Sequence, residues 1–67
     1  MNVGDLVELS SYGRSLKSYY PGRENDVALI IDQGLWRETY VIQWCSDGKK
    51  DKIVSRKDIR YARVSNR

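Results

Sequence analysis

Glu38-Thr39-Tyr40-Val41-Ile42-Gln43-Trp44-Cys45-Ser46-Asp47-Gly48-Lys49-Lys50-Asp51-Lys52-Ile53-Val54-Ser55 is the stretch that decides the fold. Within it Tyr40, Ile42 and Trp44 recur at period two, which sets one large apolar face against Val41, Gln43 and Cys45 on the other side of a strand. A turn follows. Asp47-Gly48 between two β-rich runs supplies the positive φ that a tight reversal needs, so residues 38 to 55 are expected to form a hairpin with its short return strand over 52–55.

Working toward the N-terminus, Asp32-Gln33-Gly34 is a second turn signal, preceded by the longest apolar run of the chain, Val27-Ala28-Leu29-Ile30-Ile31. Apolar residues on both faces of that run predict a central strand covered on both sides or placed near a subunit contact. Ser10 to Asn25, with Gly13, Pro21 and Gly22 and no regular apolar spacing, reads as a long irregular loop. Val3, Val7 and Leu9 alternate in a first strand. Toward the C-terminus, Ser55-Arg56-Lys57-Asp58-Ile59 has room for one helical turn before a last strand near Tyr61 to Val64. Period two recurs and period 3.6 does not, so the expected fold is all-β: a small five-stranded antiparallel barrel with one short helical turn before the last strand.

Sixty-seven residues make a single domain, 1–67, whose core must be small, since a chain of this length buries only about 60% of its unfolded surface. No membrane span or signal peptide fits. A single cysteine, Cys45, excludes an internal disulfide, and with no histidine the usual zinc sets and nucleophile–histidine pairs cannot be assembled. Cys45 is expected to be an inert strand residue facing away from Trp44. Asp5 with Glu8 and Asp47 with Asp51 pair carboxylates without a cleft between them, and no glycine motif cradles phosphate. The expectation is a protein that is not an enzyme and carries no cofactor or metal.

Charge is segregated. Residues 1–45 hold four Lys/Arg against six Asp/Glu, and residues 46–67 hold eight against three. Lys49, Lys50, Lys52, Arg56 and Lys57, with Arg60 and Arg63 nearby, are therefore candidate contacts to nucleic acid, or else a solubilising rim.

Gly4-Asp5-Leu6-Val7, the Tyr40 to Trp44 run followed by Asp47-Gly48, and Ser55 to Ile59 together resemble the SH3-like small β-barrels of KOW, Tudor and Sm-like layout. They are also similar to short barrel proteins of tailed bacteriophages, including those of marine cyanobacteria. The resemblance implies an interaction module in the cytoplasm, that of a bacterial host cell if the chain is phage-encoded. No Ala-Leu-Tyr-Asp-Tyr segment is present, so binding of PxxP peptides is not expected. In that layout the first long loop lies beside the loop joining strands two and three, which would place Tyr19, Tyr20 and Trp36 on neighbouring surfaces.

Those aromatics, with Arg37 beside Trp36, are the expected partner-binding residues, because Tyr, Trp and Arg are enriched at interface centres. Tyr12 is expected to fold back and seal the barrel end, and Trp44 to lie in the core. The leading reading is a non-enzymatic module acting through protein contacts, by self-association or within a phage assembly. The alternative is weak, mainly electrostatic binding of nucleic acid through the basic C-terminal third.

Overall fold

The computed structural model describes residues 1–62. The face formed by Tyr40, Ile42 and Trp44 belongs to strand β3 (Thr39–Trp44), which lies between β2 (Val27–Gln33) and β4 (Lys50–Ser55). β2 pairs in turn with β1 (Leu6–Leu9), and β1 with β5 (Ile59–Tyr61), giving one antiparallel sheet in the order β4-β3-β2-β1-β5. A 3-10 turn (Arg56–Asp58) precedes β5, as expected. At the β3–β4 turn Gly48 takes φ +75°, its N–H donates to the Trp44 carbonyl at 2.9 Å, and the Trp44 N–H donates to the Lys49 carbonyl at 2.7 Å.

Two bulges flank Val41. On one side the register passes from Ile30↔Ile42 to Asp32↔Val41, and on the other from Tyr40↔Val54 to Ile42↔Asp51. An extra residue on each neighbouring strand bends the ladder and sharpens its twist. On β4 the slip changes which residues face inward, so that Val54 is buried while Ile53 is left 66% exposed.

The bent sheet encloses Val7, Leu9, Ala28, Ile30, Ile42, Trp44, Val54 and Ile59, none more than 1% exposed. Val54 comes from one edge strand and Ile59 from the other, so both edges face one core. They are not hydrogen-bonded into a closed barrel, which corrects the expected closure. The chain passes from β4 to β5 through the Arg56–Asp58 turn, and β5 makes its ladder hydrogen bonds to β1, which leaves β4 and β5 as the two edges.

Other boundaries differ from expectation. The loop after β1 contains a five-residue helix, α1 (Ser11–Ser15), whose cap Ser10 accepts the Gly13 N–H at 3.1 Å. So short a helix leaves no apolar period to read; tertiary contacts hold it. Val3 lies outside β1 and is 57% exposed. The apolar run of β2 is covered on one face, with Ala28 and Ile30 buried and Val27, Leu29 and Ile31 half-buried. β4 begins at Lys50 and β5 at Ile59, and the final strand's expected Val64, like Arg63, lies outside the described residues.

Arg23 fastens the first loop to the β3–β4 turn. Its guanidinium donates to Asp26 at 2.8 Å and to Asp47 at 3.0 Å and stands 4.7 Å from the Trp44 ring centroid, while Ser46 Oγ donates to Asp26 at 2.7 Å. Burial alone would raise the Asp26 pKa, but hydrogen bonds from Ser46, Arg23 and the Val27 amide outweigh it and hold the carboxyl below its ordinary value. Asp47 is lowered too, by the Lys49 amide and then by Arg23. Carboxyls with depressed folded values stabilise the fold above the ordinary carboxylate pKa of about 4 and stop doing so as pH falls through the folded values. Thermal melting should therefore hold its midpoint down to about pH 4 and decline below it. Arg23→Gln should flatten that decline, and a midpoint with unchanged acid dependence in the variant would count against the arrangement.

Candidate contact site

The first loop, folded as α1 and the Leu16–Tyr20 turn, leans on the end of β4 and the 3-10 turn. Ser10 makes the joint: its N–H donates to the Asp58 carbonyl at 2.9 Å and its Oγ to the Lys57 carbonyl at 2.6 Å. Gly13 lies against the Asp58 backbone, so close that a Cβ there would collide with the carbonyl oxygen. The Leu16 carbonyl accepts both the Tyr19 and the Tyr20 N–H at 3.0 Å, which sets the two residues in succession on one tight turn.

Between these segments lies a groove of about 310 Å³ lined by Tyr12, Leu16, Tyr19, Tyr20, Ile53, Ser55, Lys57 and Asp58. Its outer walls are wet: Tyr19 is 72% exposed and Tyr12 49%. Its floor is not. Asp58 is buried and its Oδ2 accepts the Tyr20 hydroxyl at 2.8 Å. Burial, reinforced by the neighbouring Asp58 carboxylate, raises the Tyr20 phenol far above its ordinary value, so Tyr20 remains a neutral donor at physiological pH. From the core outward, the rings of Trp44 and Tyr20 meet edge-on at 6.4 Å, and those of Tyr20 and Tyr19 meet tilted at 6.3 Å. Lys57 Nζ stands 5.3 Å from the Tyr12 ring centroid at the rim.

This arrangement divides the residues singled out from sequence. Tyr19 is a surface wall of the groove, whereas Tyr20, expected on the contact surface, is a core residue because its hydroxyl finds a buried acceptor in Asp58. Tyr12, expected to seal the barrel end, stands half-exposed as the opposite wall. Trp36 and Arg37 do not line the groove; they occupy the exposed β2–β3 tip. Of the basic candidates, Lys57 is on the groove rim, and Lys49, Lys50, Lys52 and Arg56 are exposed on the β3–β4 turn, along β4 and at the 3-10 turn. Cys45 is an exposed free thiol. Leu16, Ile53 and Asp58 were not legible as site residues, since it is the helix and the bulge that bring them together.

Among the described residues no group of three or more His, Cys, Asp or Glu side chains is placed to hold a metal, and no helix is long and apolar enough to cross a membrane. Comparison with family models, with curated proteins and with solved structures finds no match, so the meaning of the groove rests on its own chemistry.

Proposed function

We propose that this chain is a non-enzymatic binding module that works through protein contacts, by self-association or as part of a larger assembly. The observation that carries the reading is the groove: exposed Tyr12, Tyr19 and Ile53 surround a buried Tyr20–Asp58 hydrogen bond. Large rings held by turn and helix hydrogen bonds around a desolvated polar pair have the composition of an interface centre. Catalysis has no support in this arrangement, because the groove offers a carboxylate already engaged by a phenol and no nucleophile paired with a base.

The SH3-like and phage relationship, and with it a host-cytoplasmic location, belongs to the same proposal. The strand order and the 3-10 turn before β5 are compatible with that layout. Nucleic-acid binding has a narrower support: Lys49, Lys50 and Lys52 are exposed near one sheet edge, where they also discourage edge-to-edge pairing.

Light scattering on size-exclusion fractions, with and without nuclease, separates the two. The protein-contact reading expects a mass above 7.8 kDa that rises with concentration and ignores nuclease. A mass that collapses on nuclease treatment, or retention on DNA that weakens steeply with salt, would replace it by the electrostatic reading.

A further inference from the structure

We propose that the groove is the docking site for the β2–β3 hairpin tip of a second copy of this chain. The inference rests on the protein-contact reading and gives that surface its occupant.

The tip is an apolar knob. Leu35 is 92% exposed and Trp36 68%, side by side, in a domain whose small core leaves few large side chains to spare. It is also held in shape. Thr39 Oγ1 donates to the Trp36 carbonyl at 2.6 Å and accepts the Trp36 N–H at 3.2 Å, and the Gly34 N–H donates to the Thr39 carbonyl at 2.9 Å. Glu38 adopts φ +57°, a left-handed conformation that costs a non-glycine residue free energy. A tip ordered in advance loses little freedom on docking, which is where affinity is commonly forfeited.

The groove matches the knob in size and in charge. At about 310 Å³ it stands at the small end of pockets that take organic groups, and its tyrosines can meet an indole edge-to-face or offset-stacked. Arg37, next to Trp36, answers the Asp58 carboxylate, which keeps free lone pairs after accepting the Tyr20 hydroxyl. Glu38 answers Lys57 at the rim. A phosphate backbone fits less well, since Lys57 is the one cation among the lining residues and Asp58 opposes it. The chain's own tip does not line its own groove, so the contact runs between copies, knob of one into hole of the next.

Trp36→Ala removes the knob, and Tyr19→Ala with Ile53→Ser removes the groove walls, all at exposed positions whose loss should leave the melting curve of the fold intact. In sedimentation over concentration each variant alone is expected to associate at least tenfold more weakly than the wild type. An equimolar mixture should recover a species of two chains, because one intact knob then meets one intact groove. Acrylamide quenching of indole fluorescence should fall with concentration in the wild type and not in the groove variant. Association as tight as wild type in either variant, or no recovery on mixing, overturns the inference and leaves the general protein-contact reading standing. A wild type that is monomeric at every concentration overturns the inference and the self-association half of the protein-contact reading with it. Association abolished by nuclease overturns both.

Discussion

Replacing Trp44 by alanine is expected to leave the chain unfolded at room temperature. The indole is 1% exposed and is the largest fully buried side chain, so its removal leaves a cavity that a small sheet cannot close. Truncations of this kind cost about 3–5 kcal/mol, close to what a core of this size supplies in total. The loss extends beyond packing. Trp44 Nε1 donates to Asp51 Oδ2 at 2.6 Å, Arg23 stands over the ring, and Tyr20 packs against it edge-on, so three side chains lose a partner together. Trp44→Phe should restore the packing while leaving Asp51 without its donor, at a cost of about 1–3 kcal/mol, and so remain folded with a lowered midpoint. Circular dichroism melts decide the matter: a Trp44→Ala protein that unfolds cooperatively within a few degrees of wild type would mean that the core is not organised around this ring.

The same ring shows how much was legible beforehand. Period two across Tyr40, Ile42 and Trp44, followed by Asp-Gly, is a local signal that needs no tertiary information, and the hairpin, its inward face and the burial of Trp44 follow from it. The five strands and the turn before the last were readable on the same ground. Closure was not. Whether β4 and β5 join depends on the pitch of the twist and on how much space Arg56–Asp58 occupies, neither of which is written in a hydrophobic pattern. The bulges beside Val41 were equally silent, because a one-residue slip leaves composition unchanged while setting Val54 rather than Ile53 opposite Tyr40 and leaving Ile53 in solvent.

Less of the site could be read, for a related reason. An exposed tryptophan at a turn is a local inference, and Trp36 stands exposed as its setting suggests. Tyr19 and Tyr20 are adjacent and chemically alike, yet one is a surface wall and the other a core donor. What separates them is Asp58, thirty-eight residues from Tyr20 in sequence, and no pattern within the loop announces that partner. Arg23 is a similar case, since its partners Asp26 and Asp47 lie in separate segments and only the folded chain brings both to one guanidinium.

Gly13→Ala should destabilise the fold, although the same change inside an ordinary exposed helix stabilises by up to about 1 kcal/mol. Gly13 is buried at the centre of α1, and its missing side chain is what allows the helix to rest on the 3-10 turn. An added Cβ would collide with the Asp58 carbonyl oxygen, a backbone atom that cannot rotate away, and would press on Leu9 Cδ2 at 3.2 Å. The helix must then lift, straining the Ser10 bonds to Lys57 and Asp58 and pulling Tyr20 from its acceptor. Overpacking of this kind costs about 1–3 kcal/mol, which in a domain of this size lowers the melting midpoint by on the order of 10 °C. Ser11→Ala, one exposed position in the same helix, supplies the reference, since it changes helix propensity without touching the contact. If Gly13→Ala melts at or above both the wild type and Ser11→Ala, the helix does not rest on Asp58 as described, and the groove that depends on this joint loses its floor.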